Sequence, residues 1–193
     1  MSSTMCRFKS MRGFTIVELM MGMAIVAILL VIAIPNLKKW KEEYEINGQA
    51  QKVYFDMKLA QATAIQSNNN VVVTFDSVKN FYKVHDDTNN NGIEDSKETV
   101  KTVNLENNIE FGFNLGLNDV DGNIVTSPIF FGGGNRVVFN SRGQSDNGGS
   151  IFLIHMNRLG YTNDRMRSIH LSQITGSVEL LKYDLNRDPI PWS

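Results

Sequence analysis

The 193-residue chain predicts an α+β fold, one long N-terminal helix packed on a small antiparallel β domain. Two observations carry that expectation. A 21-residue apolar run, Phe14 to Ile34, passes into helix-period patterning that lasts to about Ser67. Beyond it the pattern becomes short β runs separated by Asn-, Asp- and Gly-rich turns. Strands of that kind must bury one face, and the helix's apolar stripe supplies the missing half of their core.

The apolar run contains one ionisable group, Glu18. At about 1.5 Å rise per residue, some 20 residues cross a hydrocarbon core about 30 Å thick. A secretory signal would be shorter and would end in a small-residue cleavage site. No Ala-x-Ala step precedes Pro35 or Lys38. A carboxylate at mid-membrane costs roughly 2.5–3.5 kcal/mol, so Glu18 near one end of the span reads as functional, neutralised by an amine.

Leu37, Trp40, Tyr44, Ala50, Val53, Met57, Ala60 and Ala64 continue the helix at mainly three- and four-residue steps, with Asn47 and Gly48 interrupting. Pro35 kinks rather than ends such a helix, and Ser67 to Asn70 stops it. The strands expected next are Val71–Phe75 with Phe81–His85 as one hairpin, and Thr99–Leu105 with Ile109–Phe113 as a second pair. A loop at Asn118–Asn123 follows, then strands at 129–131, 136–140, 150–156, 168–174 and 177–183. Gly132–Gly134 reads as a turn, and the Pro189/Pro191/Trp192 tail either docks or stays loose.

Gly13-Phe14-Thr15-Ile16-Val17-Glu18, after the basic residues Arg7, Lys9 and Arg12, resembles the signal of type IV prepilins and type II secretion pseudopilins. The resemblance implies a pilin fold and cleavage by prepilin peptidase between Gly13 and Phe14, with methylation of the new Phe14 amine. It also implies that Glu18 pairs with the amino terminus of a neighbouring subunit, other pseudopilins or pilins being bound through the helix. Residues 1–13 are then a leader, 14–35 a transmembrane and assembly helix, 36–67 its amphipathic continuation, and 68–193 a periplasmic β-rich domain. The product is a single-pass inner-membrane protein that joins a filament.

Losing the leader leaves 16 basic against 20 acidic residues, and removes Cys6, the only cysteine. A mildly acidic, thiol-free domain gives no general reason to bind nucleic acid. Within the superfamily the domain is similar to the GspH/FimT branch. The similarity lies in Asn140-Ser141-Arg142-Gly143 before Gly149-Ser150-Ile151, and in Arg165–Ile169 before Thr175-Gly176-Ser177-Val178. It implies a minor pseudopilin of a type II secretion system, with a minor type IV pilin as the alternative. Some DNA-uptake relatives carry Gly-Arg-x-Arg in that last turn. Here Gly176-Ser177-Val178-Glu179 puts an acid there, which argues against DNA and leaves only Arg165 and Arg167 as phosphate contacts.

One further stretch bears chemistry. Asp87-Thr88-Asn89-Asn90-Asn91-Gly92-Ile93-Glu94-Asp95-Ser96-Lys97-Glu98 fits the twelve-residue calcium loop. Asp87, Asn89, Asn91, the Ile93 carbonyl, Asp95 and Glu98 occupy its ligand positions. Strands rather than helices flank it, and Asn-rich hairpin loops also read this way without any ion. His85, His155 and His170 show no metal-ligand spacing to one another, and Ser141 lies outside a nucleophile elbow. The reading is of a protein without catalysis.

Overall fold

The computed structural model describes residues 13–132, 134–187 and 191–193. Arg7, Lys9, Arg12 and Cys6, with Gly133 and Pro189, lie outside the described residues. Two compact units divide after Lys41: Met1–Lys41 and Glu42–Ser193.

A single helix, α1, is continuous over Ile16–Ser67 and includes Pro35. Thr15 starts it. Its hydroxyl accepts from the Glu18 backbone N–H at 3.2 Å, and Glu18 Oε2 accepts in return from the Thr15 N–H and hydroxyl at 3.4 Å. This reciprocal capping box satisfies donors that the first helical turn leaves open. At Pro35, which has no N–H to donate, the next side chain adds a bond, Asn36 Nδ2 to the Ile32 carbonyl at 3.3 Å. Asn68, at φ 56, turns the chain out of the helix.

Among the described residues, the second unit holds nine strands in two antiparallel sheets. The first sheet runs β3 (Val100–Asn104), β2 (Phe81–Asp87), β1 (Asn70–Asp76), β6 (Arg136–Phe139). The second runs β4 (Ile109–Phe111), β7 (Gly149–His155), β8 (Arg167–Leu171), β9 (Val178–Lys182), with β5 (Ile129–Phe131) also on β7. The hairpin of β1 and β2 forms as expected, from Asn70 opposite Asp87 to Asp76 opposite Phe81.

The second expected pair does not form. β3 pairs with β2, whereas β4 pairs with β7. Asn107 and Asn108, both at positive φ, form a tight turn closed by the Ile109 N–H on the Glu106 carbonyl at 3.1 Å, and beyond it β4 lies along β7, Ile109 opposite His155.

The core joins one face of α1 to both sheets. Ile46, Ala50, Val53, Met57, Ala60 and Ala64 meet Val73, Phe75 and Tyr82 of the first sheet and Ile151, Leu153 and Ile169 of the second. Leu37, Trp40 and Tyr44, expected in the same stripe, are exposed instead. The six-residue step from Tyr44 to Ala50 changes helix face. The first three therefore share a side with Phe55 and Leu59, which are also exposed. β7 is buried on both faces: Phe152 and Ile154 point away from α1 into a smaller cluster with Leu117, Val125, Met166 and Trp192. The tail is thus docked. The Trp192 indole packs on Phe152 and Tyr183 and donates to the Asn118 carbonyl at 2.8 Å.

Candidate functional site

Three groups of residues in this fold can carry function, and each is assembled by a different local device.

The first is the start of α1. Gly13, Phe14 and Thr15 lie outside regular secondary structure, Phe14 is 84% exposed, and a Cβ built on Gly13 meets nothing within 4 Å. Among the described residues, the Gly13–Phe14 peptide is therefore non-helical and exposed. The apolar side chains that follow, from Ile16 to Ile34, are exposed within their own unit, in a helix long and apolar enough to cross a membrane.

The second is the Asp87–Glu98 connection between β2 and β3. Both Asp87 carboxylate oxygens accept backbone N–H groups, Oδ1 from Asn91 at 3.0 Å and Oδ2 from Gly92 at 2.8 Å. The Asn89 and Asn91 side-chain oxygens accept from the Asn91 and Ile93 N–H groups, at 2.9 and 2.7 Å. Their amide nitrogens both point at Asp95 Oδ2, at 2.6 and 3.1 Å. So the oxygens of the six sequence positions do not all face one centre. What converges is His85, Asp87 and Glu98, each offering a donor atom within 4.8 Å of the others. His85 Nε2 lies 2.8 Å from Glu98 Oε2, and the two side chains are 7% and 1% exposed.

Burial pushes the Glu98 carboxyl up, but the Asp95 N–H and the His85 imidazole outweigh it and hold the group below the ordinary carboxylate range. Sequence reasoning passed over His85. The signal was the His-x-Asp step on a strand, which puts two donors on one face.

The third is a band of charge where α1 enters the second unit. Arg158 grips Glu42 through Nε and Nη2 at 3.1 and 2.8 Å, and Arg165 adds a contact at 3.2 Å. Arg167 is 3% exposed. Its Nε donates to Asn47 Oδ1 at 2.8 Å, its Nη1 to two backbone carbonyls at 2.9 Å, and its Nη2 lies 3.5 Å from Glu43. Lys182 completes the band on Glu43 at 2.9 Å. Arg165 and Arg167, the two candidate phosphate contacts, are thus turned towards the helix. Asn47, an interruption in the apolar stripe, is there as a partner for Arg167.

A deeper polar lock sits further along the helix. Asp56 accepts from the Tyr82 hydroxyl at 2.7 Å and from Lys101 at 2.6 Å, and burial beside this carboxylate pushes the Tyr82 phenol well above its ordinary value.

The glycine turns at Gly143 and Gly176 close the two sheets on the helix. Gln61 of α1 donates Nε2 to both carbonyls, at 2.6 and 2.9 Å. Gly176 has φ +64, and a Cβ there would lie 2.1 Å from the Gly143 oxygen. Gly143 has φ +75, and its Cβ would meet Ile65 at 2.8 Å. The side chain that each turn lacks is the one that would wedge helix and sheets apart.

With this geometry in hand, comparison with known proteins is decisive for the family. Residues 49–175 match the family model described as type II transport protein GspH. The chain belongs to the GspH family. Residues 8–34 match the prokaryotic N-terminal methylation motif. No curated protein matches. Among solved structures, two of the minor pseudopilin EpsH from the type 2 secretion system of Vibrio cholerae are similar, at 16% and 19% identity. Each has a TM-score of 0.49, with 72% of this chain and 97% of the other covered. GspH-family chains are structural pseudopilin subunits rather than enzymes.

Proposed function

We infer that this GspH-family chain is a minor pseudopilin, a structural subunit that takes part in protein secretion by the type II system. The observation that carries the inference is the continuity of α1. It begins two residues after an exposed Gly13–Phe14 peptide, is apolar and exposed through its first half, and becomes the buried spine of the β domain in its second.

Before assembly the first half anchors the precursor in the inner membrane, with the β domain in the periplasm. Prepilin peptidase removes residues 1–13 and methylates the Phe14 amine. Neighbouring pseudopilins then replace lipid around the helix, and Glu18 meets a neighbour's terminal amine. In the ion pair with that amine, Glu18 exchanges its local Thr15 contacts for a charge-assisted bond in a dry environment, where such pairing is strongest. Glu18→Val should therefore be processed normally but fail to restore secretion in cells lacking the wild-type gene. Restored secretion would remove Glu18 from the assembly step.

The Asp87–Glu98 loop carries a second reading, as a calcium loop with Asp87, Asn89, Asn91, the Ile93 carbonyl, Asp95 and Glu98 as ligands. The buried Asp87 and Glu98 carboxylates and the twelve-residue spacing support it. Millimolar calcium should raise the melting temperature of the detergent-solubilised chain. An unchanged melt would leave the loop as a hydrogen-bonded turn.

A further inference from the structure

We propose that His85, Asp87 and Glu98 form a site for a borderline transition-metal ion of the zinc class. The proposal deepens the cation reading of the same loop by naming a different ion and a ligand outside the twelve-residue pattern.

The donor set decides the ion. Strand alternation puts His85 and Asp87 on one face of β2, and the far end of the loop returns Glu98 to them. All three are held away from water: His85 is 6% and Asp87 1% exposed, and the Glu98 side chain is 1% exposed. Calcium takes six to eight oxygens. Here the convergent set is one imidazole nitrogen and two carboxylates, while the Asn89 and Asn91 amide nitrogens both bond Asp95 Oδ2. One nitrogen and two oxygens, with a fourth place left for water, is a donor set that zinc accepts. Imidazole also favours zinc, copper or nickel over calcium.

Charge points the same way. Two buried carboxylates face a single imidazole. Among the described residues no lysine or arginine forms a salt bridge to Asp87, Asp95 or Glu98; Lys83 pairs with Glu94 and Lys101 with Asp56 instead. Burying two like charges together is costly unless something neutralises them, and a divalent cation does so. The ligands are already oriented, because both Asp87 oxygens and Glu98 Oε2 hold backbone N–H groups of the loop.

The test uses the full chain, solubilised in detergent and stripped with a chelator, in parallel arms with zinc chloride, cobalt chloride and calcium chloride. Zinc should raise the melting temperature, and cobalt should develop visible bands of mixed nitrogen and oxygen coordination. His85→Gln keeps a hydrogen-bond donor for Glu98 but removes the metal-binding nitrogen. It should weaken zinc by at least the roughly 10–100-fold that loss of an outer-shell partner costs and erase the cobalt bands, while any calcium response persists. Zinc binding equally well to wild type and His85→Gln overturns the proposal. So does a wild-type cobalt spectrum without nitrogen coordination, a result that stands even if the variant does not fold. A calcium response with no zinc response rejects this proposal and keeps the calcium loop, whereas zinc without calcium does the reverse.

Discussion

At the scale of single residues, the band of charge around Glu42 shows how a side chain is fixed by partners more than a hundred positions away. Burial pushes the Glu42 carboxyl up, but the Arg158 guanidinium outweighs it and holds the group below the ordinary carboxylate range. A carboxyl with a folded value below its unfolded one stabilises the fold above the unfolded value. That contribution is lost as pH falls through the folded value. Glu43, held down by Lys182 against burial, has the same sign. Melting temperature should therefore fall on acidification below about pH 4.5. Glu42→Gln should melt lower than wild type at neutral pH and show a shallower acid limb. An acid limb of equal slope would mean that Arg158 and Arg165 do not set the Glu42 charge.

None of this band was legible in the sequence. Arg165 and Arg167 looked like alternating surface arginines because nothing local shows that Glu42, Glu43 and Asn47 sit across from them. Asp56 was a better clue. A carboxylate among Val53, Met57 and Ala60 on a buried helix face requires a partner, which the fold supplies as Tyr82 and Lys101.

At the scale of elements, α1 was readable and the sheets were only half so. Helix periodicity and the Ser67–Asn70 stop gave the helix its end, and the two-residue period gave most strands. Pairing was harder, because alternation says which residues share a face but not which strand lies alongside. The Asn107-Asn108 turn between β3 and β4 even has the paired positive φ of a hairpin turn, yet β3 pairs with β2 and β4 with β7. The six-residue step that turns Tyr44 about 120° away from Ala50 is visible once helix angle is counted residue by residue. The Gly143 and Gly176 turns, by contrast, are visible in the sequence and have a geometric cause in the structure.

Gly176→Ala places a methyl against the Gly143 carbonyl at a positive φ. It should destabilise the domain by about 1–3 kcal/mol, lowering the melting temperature by roughly 2–4 °C per kcal/mol. An unchanged melt would show that the turn can shift without loosening Gln61 from both carbonyls.

At the scale of the whole molecule, one helix serves two solvents. Its first half presents apolar side chains all round and suits lipid or the interior of a filament. Its second half gives one face to the β domain and keeps Phe55 and Leu59 outside. The start of that helix is where the account is most exposed to test, since the proposed mature amino terminus, Phe14, stands two residues before α1 and directly ahead of the Thr15–Glu18 capping box. Intact-mass and peptide mass spectrometry of the chain, from cells that contain prepilin peptidase, measures that start directly. The account predicts a single amino terminus at N-methylated Phe14, with residues 1–13 absent. A chain that retains its leader, or one that begins at any other residue, would contradict it.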